Sequence, residues 1–230
     1  TALTSLTIPD SVTSISTGAF KGLSSLKTVL IPDSVTAIGD QAFRHSGLTS
    51  LTLGSSVRTI GDSAFFGTAL TSLTIPDSVT SISALAFGLT PLETLVVGSG
   101  LSSPNEVGSG AFLNVCETLR SVSVNSPNAL GRGSNSDTFI YEDAANSNAL
   151  RLRDVYKGLV FGDFYETNWS LQNGTNVYRS SLRCPVLETI TLGDKVETVG
   201  INAFSASDDF SSLTSLTIPD SVTSIGNSAF

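Results

Sequence analysis

The residues that could carry out acid–base chemistry lie in one stretch of the chain, residues 125–186. Glu142, Asp143, Asp163 and Glu166 all fall there, and glycoside hydrolysis requires two carboxylates that flank the scissile bond. Nothing in the sequence fixes the separation between any two of these carboxylates. A glycan-active enzyme is therefore kept only as an alternative, and we predict a protein that is not an enzyme, with no catalytic residue.

The only histidine of the chain, His45, follows Phe43 and Arg44. Zinc sites and histidine-based nucleophilic catalysis need partner residues that the sequence does not supply, so we interpret His45 as a surface residue. The Gly131-Arg-Gly133 segment is too short for a phosphate-binding loop. We predict no cofactor.

An aspartate recurs at one turn position along the chain, as Asp10, Asp33, Asp77, Asp194 and Asp220, with Ser55 interrupting the series. Stacked carboxylates could bind Ca²⁺, but an aspartate also suits a turn because it accepts hydrogen bonds from nearby backbone amides. We interpret the series as turn residues and predict no metal site.

Residues 125–186 hold the aromatic residues best suited to binding a ligand. Tyrosine and tryptophan rings stack on sugars or anchor protein partners, and arginines beside them supply hydrogen bonds. The alternative is that the rings form a small core of this segment. The candidates are Tyr141, Tyr156, Tyr165, Trp169 and Tyr178, with Arg151, Arg153 and Arg179.

Two glycosylation sequons, Asn168-Trp-Ser and Asn173-Gly-Thr, stand five residues apart in the same segment. If a eukaryote secretes the protein, Asn168 and Asn173 are acceptors at an exposed position. We therefore predict both as glycosylation sites.

The elements that position these residues come from an internal repeat. The segment Leu213–Phe230 recurs almost unchanged at Leu3–Phe20 and Leu70–Phe87. Diverged copies start at Leu26, Leu48, Leu92, Leu119 and Leu187, mostly 22 or 23 residues after the preceding copy. A period in the twenties predicts a solenoid, mainly β with short helical or 3₁₀ turns, as a right-handed coil of about eight rungs.

The repeat predicts its own local structure. In the first copy Leu6-Thr7-Ile8 alternates as a strand does, and Pro9 ends the strand and opens a type I turn. Further on in the unit, we expect positive φ at Gly39, Gly61, Gly200 and Gly226. Asp40, Asp62 and Asn227 would cap the short turn that carries Ala-Phe inward.

The outward positions of the first strand carry hydroxyl groups, which we call the strand-face hydroxyls: Ser5, Thr7, Thr28, Ser50, Thr52, Ser72 and Thr74. Such a face could meet a repetitive ligand. Ranks of threonine also resemble an ice-binding lattice, although Leu30 and Val96 break the ranks and threonine is simply a good strand residue.

The pattern L-x-x-L-x-I-P-x-x-V-x-x-I-G-x-x-A-F resembles the BspA-like, or Treponema pallidum-type, leucine-rich repeat. The resemblance covers the chain except for roughly 125–186. It implies secreted or cell-surface proteins that adhere to or bind macromolecules, and it brings no catalytic residues.

Composition and pattern divide the chain into three parts of one domain: solenoid coils in 1–124, an aromatic-rich insertion in 125–186 and further coils in 187–230. We expect the coils on both sides to stack without the insertion, and the array to continue in a longer parent protein. The insertion has six basic and six acidic residues, so the coils carry the net charge of −8. Nucleic acid is an unsuitable partner for an acidic chain, and no apolar run is long enough for a membrane span.

Cys116 and Cys184 each precede a repeat-starting leucine, Leu119 or Leu187, by three residues. If the insertion loops out of one coil, these equivalent positions lie on neighbouring rungs, within the reach of a disulfide. The alternative is a pair of buried thiols.

These observations predict an extracellular or cell-surface scaffold for adhesion or recognition. Its partners would be proteins, glycans or other copies of itself, bound through the strand face and the insertion. A building block of a surface layer, appendage or cell wall is the alternative.

Overall fold

A computed structural model describes residues 3–101, 106–108, 111–112, 115, 118–125, 170–172, 175–177, 186–196, 198–199 and 212–225. No α-helix occurs among them, and short strands alternate with turns. The strands are Ser5–Thr7 (β1), Ser14–Ile15 (β2), Thr28–Leu30 (β3), Ala37–Ile38 (β4), Ser50–Thr52 (β5), Thr59–Ile60 (β6), Ser72–Ile75 (β7), Ser81–Ile82 (β8), Thr94–Val97 (β9), Ser121–Val124 (β10), Ser170–Gln172 (β11), Thr175–Val177 (β12), Thr189–Leu192 (β13), Thr198–Val199 (β14), Ser215–Thr217 (β15) and Ser224–Ile225 (β16).

The first strand of every repeat lies on one side of the molecule. Strands β1, β3 and β5 pair in parallel, and so do β7, β9, β10, β13 and β15. Between the two groups, the Ala69 amide donates to the Leu48 carbonyl (2.9 Å). Equivalent residues stand opposite each other, as Ser5 does with Thr28 and Thr28 with Ser50. The predicted parallel β-solenoid is confirmed.

The second extended piece of each repeat forms a narrower parallel sheet. Strands β2, β4, β6 and β8 pair in sequence, and a bridge from Ile82 to Val107 extends the sheet to the fifth repeat. Strands β14 and β16 pair in the same way further along the chain. In the coils where both extended pieces are described, each sheet therefore repeats once per coil, and one coil corresponds to one sequence repeat.

Phenylalanines stack along the third side of the solenoid. The rings of Phe20, Phe43, Phe65, Phe87 and Phe112 follow one another with centroids 5.1, 5.2, 5.2 and 5.5 Å apart. Backbone hydrogen bonds join the same side, because the amide of each of the first four phenylalanines donates to the alanine carbonyl before the next (2.7 Å). The Ala-Phe dipeptide thus gives each of the first five coils a stacked ring, and each of the first four a bond to the next coil.

The Ala-Phe segment is a series of tight turns, and its strained positions differ from those predicted. Positive φ falls at Gly18, Gln41, Ser63 and Leu85, and again at Gly22, His45, Gly67 and Leu89. The prediction of positive φ at Gly39 and Gly61 is wrong. Glycine is needed there because a Cβ would lie 2.6–2.7 Å from backbone nitrogen atoms of the preceding coil. Gly200, Gly226 and Asn227 lie outside the described residues.

The core is a column of aliphatic side chains closed by the phenylalanines. The second coil buries five aliphatic side chains, those of Leu26, Val29, Ile31, Val35 and Ile38. The third and fourth coils bury the residues at the same positions, except that Leu51 and Leu53 in the third coil are half-buried. Each coil buries its apolar residues against the coils beside it, as expected for a solenoid, in which a single repeat cannot fold alone.

Candidate functional site

The strand-face hydroxyls form an open, flat surface. All seven side chains are exposed, and none makes a side-chain hydrogen bond with another described residue. Parallel pairing without a register shift places equivalent hydroxyls about 4.8 Å apart along the solenoid axis. Leu30, which is 58% exposed, and Val96, which is 37% exposed, interrupt the outer rank.

Hydroxyls elsewhere in the repeat are used to join the coils. Ser34, Ser78 and Ser221, in the turns after the first strands, donate to carbonyls of the preceding coil (2.7–2.8 Å). Thr36, Thr49, Thr80 and Thr214, each just before a strand, donate in the same way over 3.2–3.4 Å. The outward positions of the first strands leave their hydroxyls available to a ligand, in ranks aligned from coil to coil.

The turn aspartates act between coils. The Asp33 carboxylate accepts a hydrogen bond from the Ser55 amide, and the Asp77 carboxylate accepts one from the Ser99 amide (2.6 Å each). The hydrogen bond that the Ser55 backbone amide donates lowers the pKa of Asp33 below its ordinary value. These two residues are turn residues as predicted, but the partner amide is 22 residues away rather than nearby. Asp40 was predicted as a helix cap, and its carboxylate likewise accepts a hydrogen bond from the Asp62 backbone amide in the next coil (2.8 Å).

A glycine in the following coil accompanies these bonds. Gly54 precedes Ser55 and Gly98 precedes Ser99, and a Cβ on Gly98 would lie 2.5 Å from the Asp77 carboxylate. Asn125 repeats the arrangement, because its side-chain oxygen accepts from the Lys195 amide (3.0 Å) beside Gly193. An aspartate or asparagine followed one coil later by a glycine is the sequence signal for this bond, and sequence analysis missed it.

His45 belongs to a small surface cluster on the Ala-Phe side. Its ring meets the Phe66 ring edge-on, with centroids 5.6 Å apart, and the Arg44 guanidinium lies 4.8 Å from the Phe66 centroid. His45 is exposed, as the sequence indicated. Among the described residues, no group of three or more His, Cys, Asp or Glu side chains could hold a metal ion.

Most of the candidates predicted in the insertion lie outside the described residues: Tyr141, Tyr156, Tyr165, Trp169, Tyr178, Arg151, Arg153, Arg179, Asn168, Asn173, Glu142, Asp143, Asp163 and Glu166, together with Cys116 and Cys184. Within the insertion the structure describes an antiparallel pair, β11 with β12, in which Ser170 stands opposite Val177. The ligand, glycosylation and disulfide assignments therefore stay predictions.

Two open grooves lie along the corner where the first strands end. One, of about 420 Å³, runs from Ser55 in the third coil to Ser123 and Asn125 in the sixth. The other, of about 780 Å³, continues from Ser123 and Asn125 to Asp220 and Ser221 in the eighth. The grooves share Ser123 and Asn125, and together we call them the corner trough. Sequence analysis did not find it, because no single repeat contains it.

The family model of the BspA type leucine rich repeat region matches residues 1–120 and 167–230 in six copies. The chain therefore belongs to the BspA-type leucine-rich-repeat proteins, and the predicted resemblance is confirmed. The comparison with curated proteins finds no match. Among the described residues, no helix has the length and apolar character needed to cross a membrane.

Solved structures of leucine-rich-repeat proteins are similar to this chain. One from Eubacterium ventriosum has a TM-score of 0.52 and 22% identity, and it covers 99% of this chain. A leucine rich cell surface protein from Faecalibacterium prausnitzii has a TM-score of 0.42, 24% identity and 99% coverage. The pneumococcal vaccine antigen PcpA has a TM-score of 0.36, 18% identity and 87% coverage. The chain spans 51%, 64% and 58% of those three chains, respectively.

Proposed function

We propose that this chain is a non-catalytic recognition scaffold that works at the cell surface and binds protein or glycan partners through the strand-face hydroxyls. The observation that carries the proposal is that these exposed hydroxyls are aligned in register on the wider of the two sheets. Serines and threonines beside the strands donate to the neighbouring coil, whereas the seven outward ones are exposed and make no side-chain hydrogen bond.

Three further points support a binding role. The family consists of repeat proteins whose stacked coils present extended surfaces, and such surfaces are the usual binding sites of solenoids. The similar protein from Faecalibacterium prausnitzii is described as a cell surface protein. The insertion adds aromatic residues to the same chain, and insertions in repeat proteins often lie on the binding face.

The test is a binding array of glycans and extracellular matrix proteins, probed with the whole chain and two double variants. Ser50→Lys with Ser72→Lys places two long cations on the strand face. Ser14→Lys with Thr59→Lys makes the matched change on the narrower sheet, where both residues are also exposed. We expect the strand-face variant to lose at least tenfold in affinity for any partner found, while the control variant binds as the parent does.

Equal binding by both variants would refute the strand face as the binding surface. Turnover of an arrayed glycan, abolished by Glu142→Gln or Glu166→Gln, would establish the enzymatic alternative instead. Assembly of the chain into regular particles in the electron microscope, with no array partner, would favour the structural alternative.

A further inference from the structure

The corner trough crosses six coils, from the third to the eighth. Because neighbouring strands are about 4.8 Å apart, the trough runs for about 24 Å along the solenoid axis, across the strands rather than parallel to them. An occupant of the whole trough must therefore be an extended polymer. A small molecule would fill one part of it only.

The lining of the trough combines an apolar strip with polar groups. Val96, which is exposed, and the half-buried Pro76 and Pro219 supply the apolar strip. The side chains of Ile75, Val97 and Leu192 behind them are buried in the core. Hydroxyls such as Thr191 and Thr217 and the carboxylates of Asp194 and Asp220 border that strip. A pyranose ring has the matching character, since its C–H faces are apolar and its hydroxyls project around the edge.

The charge of the lining excludes polyanions. Among the described residues no lysine, arginine or histidine lines either groove, whereas Asp77, Asp194 and Asp220 all do. A polyanionic glycan would meet like charge without a compensating cation, and like charges in close proximity repel. Carboxylates accept hydrogen bonds well from neutral hydroxyl groups. The trough therefore favours a neutral ligand rich in hydroxyl donors.

The repeat distance separates a glycan from a peptide. Equivalent lining groups recur about every 4.8 Å, whereas an extended peptide advances about 3.3 Å per residue and drifts out of register with them. A pyranose unit in an extended β-linked chain has nearly the same length as the coil spacing. Successive sugars can then lie over equivalent positions of successive coils, which carry Thr74, Val96, Ser123, Thr191 and Thr217.

We propose that the corner trough binds an extended, neutral, β-linked polysaccharide that lies along the solenoid axis. The proposal deepens the proposed function and rests on it, because it names the ligand class for one edge of the same surface. It also gives a role to Val96, which interrupts the hydroxyl rank but supplies apolar area to the trough.

The experiment measures binding of cellohexaose to the whole chain by isothermal titration calorimetry. Maltohexaose, whose α-linkages curve the chain, tests the repeat distance. A β-(1→4)-linked hexaglucuronate, which keeps the linkage of cellohexaose and adds carboxylates, tests charge. The trough variant is Thr191→Lys, an exposed strand residue in the seventh coil. Thr59→Lys is its matched control, exposed on the narrower sheet of the third coil and outside both the trough and the strand face. Both variants are first shown to have the same unfolding temperature as the parent chain.

We expect cellohexaose to bind the parent and the control equally, and Thr191→Lys to bind at least tenfold more weakly. Maltohexaose and the β-(1→4)-linked hexaglucuronate should each bind at least tenfold more weakly than cellohexaose. If cellohexaose does not bind the parent, the trough proposal is overturned. The proposed function still stands in that case if the Ser50→Lys, Ser72→Lys variant loses affinity for a partner found in the array. The trough proposal is also overturned if both lysine variants lose affinity for cellohexaose equally, or if all three oligosaccharides bind the parent equally.

Discussion

At the scale of single residues, the same side chain has different roles at different positions of the repeat. The Thr52 hydroxyl is exposed and unbonded, whereas the Thr49 hydroxyl donates to the Lys27 carbonyl (3.3 Å). The Thr68 hydroxyl is buried with no hydrogen-bond partner among the described residues, and Ser46 repeats this one coil earlier. Composition cannot distinguish these roles, because each depends on what the neighbouring coil places opposite the hydroxyl.

The buried hydroxyls allow a matched test of stability. Thr90 stands one coil after Thr68, and its hydroxyl donates to the Phe87 carbonyl (2.6 Å), while Val115 occupies the same position next. Thr68→Val should keep or raise the free energy of unfolding, by up to about 1 kcal/mol, because it removes an unsatisfied polar group. Thr90→Val should lower it by about 1 kcal/mol. Urea unfolding measures both, and a loss of stability in Thr68→Val as large as that in Thr90→Val would contradict the prediction.

The Asp33 carboxylate predicts a specific pH dependence. Its pKa in the folded chain is lowered by the Ser55 amide from an ordinary value of 3.8, so the ionised form is favoured by folding. The resulting stabilisation is complete above the ordinary pKa and is lost as pH falls through the lower, folded pKa. Asp33→Asn should therefore reduce the acid dependence of the urea midpoint below pH 3.8. Asp10→Asn is the control, because Asp10 makes no side-chain hydrogen bond among the described residues, and its acid dependence should match that of the parent.

At the scale of elements, the repeat predicted most of each coil. The alternation of Leu6, Thr7 and Ile8 predicted a strand, and the structure has it one residue earlier, at Ser5–Thr7. The predicted turn follows at Pro9, where the Val12 amide donates to the Pro9 carbonyl (3.0 Å). The sequence period identifies equivalent positions of the repeat, but it does not show whether the hydrogen-bond or contact partner of a residue lies in its own coil or in the next. That is why the partner of Asp33 and the reason for Gly39 were both missed. Each depends on backbone atoms of an adjacent coil, which one repeat read alone does not contain.

The pairing of β10 with β13 sharpens the disulfide prediction. Ser121 stands opposite Thr189, so the leucines two residues earlier, Leu119 and Leu187, start neighbouring coils. Cys116 and Cys184, outside the described residues, each come three residues before one of these leucines. Equivalent positions on neighbouring coils are about 4.8 Å apart, within the Cα separation of disulfides.

We therefore expect one bond between Cys116 and Cys184 in protein purified without reductant. It would close a long loop and stabilise the fold by roughly 4 kcal/mol. Alkylation followed by mass spectrometry should find no free thiol, and Cys184→Ser should lower the unfolding temperature only under non-reducing conditions. Two alkylated cysteines in the parent would instead establish the alternative of two thiols.

At the scale of the whole molecule, the same pairing limits what can be removed from the chain. Strands β10 and β13 run in the same direction, and parallel neighbours need a connection of about a dozen residues or more. In the regular coils, 22 residues separate one first strand from the next. We therefore predict that part of 125–186 completes the sixth coil, and the family match from residue 167 onward supports this prediction. The expectation that the coils stack without the whole segment consequently has to be changed.

A pair of variants tests this requirement. Direct removal of 126–186 leaves only Asn125, Leu187 and Glu188 between β10 and β13, too few to pass around the solenoid, so this variant should not unfold cooperatively. Replacing 126–186 with a copy of residues 77–91 gives the sixth coil the turn, second strand and Ala-Phe segment of the fourth. It also restores the 22-residue spacing between the leucines of the fourth and fifth coils.

The replaced chain should fold, because every coil then offers a complete stacking face to its neighbours. It also retains Asn125, whose side chain joins the sixth coil to the Lys195 amide (3.0 Å). We expect a β circular dichroism spectrum and a single unfolding transition for the replacement, and neither for the direct removal. A cooperative transition in the directly joined chain would show that β10 and β13 do not need a full coil between them, and the parallel register would then be wrong.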